Sequence, residues 1–354
     1  MARAQHNWTT APWNDQEELE CTMIIPETAD CVTIAFRAPS GAWFDYEPGQ
    51  FITLDLPVLS GTIQRTYTIS SSPSRPLSIS ITVKAQPDSI GTRWMLEHLK
   101  PGMRLKAYGP AGGFTLHKHK AKKYLFISAG SGITPMMSMT TWAWDSGEVP
   151  DIVFVHAARR PSDIIFKQRL EQFASRVPGL QLRFTVEEVE PFAVWHGYRG
   201  RLSQIMLGLM AHDYLEREVF CCGPEPFMKA VRDMLASLGF DMDHYHQESF
   251  SAPADQAEDI PVTAALTGAM EIAFGQSGKS IMSDGDETIL AAARRAGLNI
   301  PSGCNFGLCG TCKIKKTDGE VTMVHNGGIS DDEIKEGYIL ACCSRPQGTV
   351  TIDI

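Results

Sequence analysis

Four cysteines in the C-terminal quarter constrain this chain more than any other feature. Cys304, Cys309 and Cys312 fall within one short stretch, Cys304-Asn305-Phe306-Gly307-Leu308-Cys309-Gly310-Thr311-Cys312, and Cys342 follows 29 residues later. The spacing C-x4-C-x2-C-x29-C is what a plant-type 2Fe-2S cluster needs, because three thiolates converge from one tight loop while the fourth arrives from a separate strand. Gly303, Gly307 and Gly310 suit such a loop, whose backbone must wrap closely around inorganic sulfide with its amides aimed at sulfur. A zinc site would normally use two C-x2-C knuckles, and the adjacent pair Cys342-Cys343 fits that pattern poorly. A disulfide framework would imply secretion, yet Met1–Trp8 carries no apolar signal region. Either Cys342 or Cys343 can in principle supply the fourth thiolate. Alternation along a strand turns their side chains opposite ways, so only one can.

The 354 residues exceed one ordinary core and imply two or three domains of about 100–150 residues. No run approaches the ~20 apolar residues of a membrane span. A net charge of −9 argues against a nucleic-acid binder, which needs surplus Lys and Arg for phosphates. Thiols without a leader point to a reducing cytoplasm.

Residues 1–17 are polar and unpatterned and read as a tail. Short β-type runs then follow at Glu20–Pro26, Cys31–Arg37, Gln50–Leu56, Arg65–Ser71 and Leu77–Ala85, punctuated by Gly, Pro and Ser, which indicates a small antiparallel barrel. After Gly109-Pro110 the rhythm becomes strand and helix in alternation. Strands are expected at Lys123–Ser128, Ile152–His156, Leu180–Val186 and Val219–Cys222. Helices are expected from Pro135, over Asp163–Ser175 and over Glu225–Leu238. This is the pattern of a doubly wound parallel sheet. Residues 251–263 read as an exposed linker. Beyond them come strands at Met270–Phe274 and Ser280–Met282, a helix over Glu287–Ala296, the cysteine loop and a closing strand at Thr349–Ile354.

The run Arg65-Thr66-Tyr67-Thr68-Ile69-Ser70-Ser71 offers an arginine, an aromatic and a hydroxyl at alternate positions, all facing one side of a strand. A guanidinium suits a pyrophosphate, a phenol stacks on a planar heterocycle, and a hydroxyl can bond a ring nitrogen. A half-buried strand with an exposed arginine would look the same locally. Twenty residues on, Ile90-Gly91-Thr92-Arg93-Trp94 opens a helix whose free amides form a second anion site. The pattern R-x-Y-[ST]-x-x-S followed by this turn resembles the ferredoxin-NADP reductase superfamily. That resemblance implies FAD held through Arg65, Thr66, Tyr67, Thr68, Val83, Lys84, Gly91, Thr92 and Arg93, with Tyr67 and Thr68 at the isoalloxazine. Thr68 and Arg93 stand where the family commonly has Ser.

In Ser128-Ala129-Gly130-Ser131-Gly132-Ile133-Thr134-Pro135, a glycine loop follows a strand and opens a helix, so the backbone can approach a pyrophosphate. The third glycine of the Rossmann fingerprint is absent, as in the reductases just named. Their C-G-P signature is matched by Cys222-Gly223-Pro224-Glu225-Pro226, which implies nicotinamide contacts at Gly130, Ser131, Gly132, Ile133, Thr134, Pro135, Cys222, Gly223, Pro224 and Pro226. Cys222 would lie where hydride leaves, and Cys221 in the core. Their terminal H-x-E-x-F is matched by His246–Phe250, which implies Glu248 and Phe250 beside the flavin. Ala157-Ala158-Arg159-Arg160 follows the second strand of this domain, where the resemblance implies contact with the adenosine ribose. Without the serine of NADPH-selective members it favours NADH, and its arginines, Arg159 first, keep NADPH open.

The order of parts resembles fusion reductases, with a flavin barrel at 18–118, a doubly wound NAD(P) domain at 119–250 and a β-grasp ferredoxin domain at 264–354. The interval of 29 residues, matching the family, selects Cys342 as the fourth ligand beside Cys304, Cys309 and Cys312. Such enzymes pass electrons from NADH through FAD and the cluster to a partner protein. The expected partner is a Rieske-type oxygenase acting on a quaternary amine such as glycine betaine. A hybrid-cluster protein is the alternative partner, and a redox-sensing or electron-carrying module is the alternative class.

Overall fold

The computed structural model describes residues 11–59, 61–85, 89–147, 150–250, 270–283, 285, 287–298, 300, 302, 307, 310, 312–325 and 328–354. They form two compact units, one ending at Phe250 and the other containing the C-terminal strands.

The first unit begins with a half-barrel. Strands β1 (Leu19–Thr28), β2 (Cys31–Arg37), β3 (Phe51–Val58), β4 (Gly61–Thr68) and β5 (Ile79–Lys84) precede helix α1 (Ile90–His98), and β6 (Arg104–Leu105) and β7 (Ala107–Ala111) follow it. They make one sheet of order β5-β2-β1-β6 and another of order β4-β3-β7, linked by a bridge between Ile69 and Ile81. Inward residues such as Phe36, Ile34, Leu54 and Ile81 fill the interior. Apolar burial of this kind is what holds a small β-structure together.

The same unit continues with β8 (Lys123–Ala129), α2 (Ile133–Asp145), β9 (Asp151–Ala158), α3 (Lys167–Arg176), β10 (Leu180–Val186), β11 (Tyr198–Arg199), α4 (Gln204–Met210), β12 (Glu218–Cys222), α5 (Glu225–Ser237) and β13 (Tyr245–Glu248). The six strands are parallel in the order β11-β10-β9-β8-β12-β13. Apolar side chains cover both faces, as a parallel sheet wrapped by helices requires. Tyr124, Phe126, Phe154 and Phe220 pack with α2 and α3, while Leu125, Ile127, Val153 and Val219 pack with α4 and α5. Half-barrel and sheet meet along α2. Ser138 Oγ donates to the Ser71 carbonyl at 2.6 Å, and Arg75 grips Asp145 through two bonds of 2.9 and 2.7 Å.

The expected helix over Asp163–Ser175 is interrupted. Pro161–Asp163 forms a 3-10 turn, Phe166 takes a left-handed φ of 59°, and α3 starts at Lys167. Ile164, Ile165 and Phe166 are buried, so core packing overrides the helical pattern there.

The second unit has β14 (Met270–Phe274), β15 (Lys279–Ser283), α6 (Ile289–Arg295), β16 (Lys313–Asp318), β17 (Val321–Met323), α7 (Asp331–Lys335), β18 (Tyr338–Leu340), β19 (Ser344–Pro346) and β20 (Val350–Ile352). Its main sheet runs β15-β14-β20-β16-β18 with β14 and β20 parallel, and β17 pairs with β19. Ile289, Leu290 and Ala293 of α6 pack on this sheet, giving an α+β core.

Candidate functional site

Strand order reverses between β8 and β12, the position at which open α/β sheets bind ligands beyond their strand ends. Two expected glycine sites meet there. A Cβ on Gly132 would lie 2.2 Å from the Cys222 carbonyl oxygen, and one on Gly223 would lie 3.2 Å from Ala129 N. Only glycine at 132 lets the start of α2 sit directly against the end of β12. Gly130 has a φ of +54°, and Thr134 Oγ1 donates to the Ser131 carbonyl at 3.0 Å, which sets the turn. Ile133, Thr134 and Pro135 are buried in the first turn of α2. Pro224 caps α5, and Pro226 is exposed in its first turn.

A single register row crosses the sheet just before these loops: Phe184 beside His156, His156 beside Ser128, Ser128 beside Cys222, and Cys222 beside Glu248. Every ionisable group in it is held neutral. Burial, with a smaller contribution from Lys84, pushes His156 down to about 3. Its Nδ1 lies 2.8 Å from Ser128 Oγ, while Nε2 has no partner among the described residues. Burial, with Glu248 adding to it, holds the Cys222 thiol well above the usual range. Burial also lifts the Glu248 carboxyl to about 8 against a hydrogen bond from Thr68, whose Oγ1 is 3.5 Å from Oε2. Glu248 Oε1 is buried without a partner among the described residues. Phe250 is 44% exposed just beyond.

On the half-barrel, Arg65 and Tyr67 share one face of β4, and Thr66 and Thr68 lie on the other. Thr66 bonds Thr53 at 2.9 Å and Thr68 points to Glu248. The expectation that the hydroxyl would accompany the arginine and the aromatic is therefore corrected by strand alternation. Tyr67 Oη is buried without a partner among the described residues, and burial raises its pKa against the pull of Arg65. A Cβ on Gly91 would lie 3.1 Å from Arg65 Cγ, so glycine lets the start of α1 come down beside the arginine. The guanidinium of Arg65 donates to the Gln64 carbonyl at 2.8 Å. The Thr92 amide donates to the Ser89 cap at 3.4 Å, and Arg93 is exposed. Val83 is buried in the half-barrel core, and Lys84 pairs with Asp30 at 2.6 Å. The buried orphan phenol and the arginine beside a helix start fit a flavin bound through its ring and diphosphate.

Arg159 is exposed, and Arg160 is held by Glu188 at 3.0 Å. The next turn adds Glu190, which accepts from Ser162.

In the second unit Cys312 and Cys342 are both buried, and the Cys342 amide donates to Cys312 Sγ at 3.4 Å. An amide aimed at a ligand sulfur fits an iron-sulfur cluster. Cys304 and Cys309 lie outside the described residues. Cys342 and Cys343 occupy a turn between β18 and β19, not a strand, so strand alternation cannot choose between them. Instead Cys343 Sγ reaches the Leu340 carbonyl at 3.7 Å and lies 2.7 Å from where a Gly307 Cβ would be.

Two groups of residues escape a reading of the sequence. The Ser128–His156 pair is hidden inside apolar strands and appears only when their register is known. Likewise nothing in the spacing of His119, Glu218 and His244 brings them to His246, which the sequence shows only as the start of the terminal H-x-E-x-F.

Comparison with known proteins shows the same three parts. Residues 21–116 match an oxidoreductase FAD-binding domain family, 126–233 an oxidoreductase NAD-binding domain family and 273–347 a 2Fe-2S iron-sulfur cluster binding domain family. The chain is 59% identical over 343 residues to the stachydrine N-demethylase reductase subunit of Rhizobium meliloti, covering 96% of this chain and 97% of that protein. It is 47% identical over 358 residues to the glycine betaine monooxygenase reductase subunit of Chromohalobacter salexigens, covering 98% and 97%. Among solved structures, phthalate dioxygenase reductase superposes with a TM-score of 0.60 at 23% identity, covering 97% of this chain and all of the other, which speaks to fold alone. No helix among the described residues is long and apolar enough to cross a membrane.

Proposed function

The chain belongs to the ferredoxin-NADP reductase-type oxidoreductases that carry FAD-binding, NAD-binding and C-terminal 2Fe-2S ferredoxin domains, and from that membership we propose that its electrons go to a Rieske-type oxygenase that demethylates a quaternary amine of the stachydrine or glycine betaine kind. It is an NAD(P)H-dependent oxidoreductase with FAD and a 2Fe-2S cluster as cofactors. The near end-to-end likeness to two reductase subunits of amine oxygenases supports the partner and favours an oxygenase over a hybrid-cluster protein.

The observation that carries the reading is the junction of Gly132 with Cys222-Gly223 at the switch point, faced across the register row by Glu248 and Thr68. We assign 18–118 to the flavin domain, 119–250 to the nicotinamide domain, 251–263 to the linker and 264–354 to the ferredoxin domain. Gly130–Pro135 and Cys222–Pro226 would hold the dihydronicotinamide dinucleotide. Arg65, with Gly91–Arg93, would hold the flavin diphosphate, and Tyr67 would meet its ring. Cys222 stays a neutral thiol and Glu248 a neutral carboxyl, so neither places a fixed charge beside the reacting rings and both exclude water. Bound there, FAD would supply two-electron chemistry toward the dinucleotide, and the cluster would supply one-electron chemistry. Cys304, Cys309, Cys312 and Cys342 would ligate that cluster, with the Cys342 amide steadying Cys312. Were the adenosine ribose to bind beside Arg159, the nearby carboxylates of Glu188 and Glu190 would repel a 2'-phosphate, which supports NADH as donor.

Purified protein supplied with NADH should reduce cytochrome c at enzymatic turnover. Silence would remove the reductase reading. Adding a purified Rieske oxygenase and glycine betaine or stachydrine should give NADH-dependent formaldehyde. Cytochrome c reduction without formaldehyde would overturn the partner alone.

A further inference from the structure

At the starting edge of the parallel sheet, opposite the nicotinamide loops, three side chains from distant parts of the chain converge. His119 comes from the connector between half-barrel and sheet, Glu218 from the first position of β12, and His246 from β13. One ligand atom from each lies within 4.8 Å of the other two. His246 Nε2 already meets Glu218 Oε1 at 2.5 Å, and the rings of His119 and His246 stack with centroids 3.5 Å apart. We propose that His119, Glu218 and His246 form a divalent transition-metal site of the zinc class.

Two imidazoles and a carboxylate suit zinc, cobalt, nickel or copper, while calcium and magnesium prefer all-oxygen shells. Zinc–ligand distances of about 2.0–2.2 Å put tetrahedral ligand atoms some 3.3–3.5 Å apart, so a shift of up to about 1.5 Å, with the two stacked imidazole rings turning so that their nitrogen lone pairs converge, closes the triangle around an ion. An ion bound here would replace the direct His246–Glu218 hydrogen bond.

The surroundings hold these ligands in position. Glu218 and His246 stand on neighbouring, hydrogen-bonded strands. His244 Nδ1 holds the other carboxylate oxygen of Glu218 at 2.8 Å, the outer-shell support that ligating carboxylates receive. The His119 carbonyl accepts from Tyr124 Oη at 3.2 Å, which fixes the connector. Phe220 forms an apolar wall, its ring centroid 5.9 Å from that of His119 and 5.2 Å from that of His246. The fourth position is left to water. Such an ion would pin the connector to the last strand of the unit, so its effect is on stability and not on the hydride chemistry at the other edge.

The test uses holoprotein with flavin and cluster intact, dialysed against a mild chelator and titrated with Zn2+ by calorimetry, with metal content read by mass spectrometry. One equivalent beyond the cluster iron should bind with a Kd of about 1 μM or tighter and raise the melting temperature. In H119N, and separately in E218Q, affinity should fall at least ~10-fold while flavin content and the visible spectrum stay as in wild type. The second variant serves if the first fails to fold. No binding to the wild type, or the same stoichiometry and affinity in both variants, would overturn the site.

Discussion

The two edges of the nicotinamide sheet treat ionisable side chains in opposite ways. Along the finishing edge, burial leaves His156, Cys222 and Glu248 neutral, with Glu248 titrating only near 8. Along the starting edge, charges are kept and paired. Buried Arg217 bridges Asp213 and Asp151, and although burial works against it, bonds from Arg217 and Lys123 hold Asp213 down at about 2. The same strands thus carry a water-poor, charge-free edge suited to electron-pair transfer and a charged edge that ties the unit together.

The largest effect expected from breaking this contrast is at Gly132. A Gly132→Ala methyl would strike the Cys222 carbonyl and displace the loop, and NADH-dependent turnover should fall on the order of 100-fold. Asp213→Asn, on the charged edge, should leave turnover within about twofold while lowering the melting temperature. Comparable losses of turnover in the two would erase the functional asymmetry.

Arg217→Met leaves Asp213 and the 39% exposed Asp151 facing one another without their shared cation, and chemical denaturation should show a loss of about 2–3 kcal/mol. A smaller effect, under about 1 kcal/mol, would mean the charged edge is solvated like an ordinary surface pair.

The pH dependence sharpens the contrast further. Glu248 has a folded pKa raised above its unfolded value, so the unfolded chain binds fewer protons between about 4.5 and 8. Its contribution to stability therefore falls as pH rises through that window. For Asp213 the folded pKa is depressed, and its contribution is present above 3.8 and lost as pH falls toward 2. Melting curves of Glu248→Gln against pH should lose the decline between 4.5 and 8 and keep the acid limb. An unchanged slope would show that Glu248 is ionised in the folded protein.

The smallest effect concerns dinucleotide choice. Glu188→Gln removes a carboxylate from Arg160, and relative use of NADPH should improve several-fold, in line with about 0.2–1 kcal/mol for an exposed pair. No change in the NADH-to-NADPH ratio of kcat/KM would remove Glu188 from the specificity argument.

Much of this was legible in the chain itself. The cysteine spacing, the glycine loop before Pro135 and Cys222-Gly223-Pro224 are local patterns, and local chemistry demands them. What local pattern does not carry is register and long-range packing. Tyr67 and Thr68 part to opposite faces because neighbouring strand residues must, and Thr68 finds Glu248 across 180 residues. The Asp163–Ser175 helix breaks because Ile164–Phe166 are drawn into the core. Short strands such as β6, β11 and β17 have too few residues to show a period. The His119–Glu218–His246 cluster is likewise a product of topology.

The relay itself is tested most directly by mixing the holoprotein anaerobically with NADH and following flavin absorbance together with the electron paramagnetic resonance of the cluster. In wild type, flavin bleaching should be followed within turnover time by the signal of a reduced 2Fe-2S cluster. In Cys312→Ser, bleaching and ferricyanide reduction should persist while that signal and cytochrome c reduction disappear. Undiminished cytochrome c reduction in Cys312→Ser, or a wild-type cluster that stays oxidised while the flavin turns over, would contradict the account.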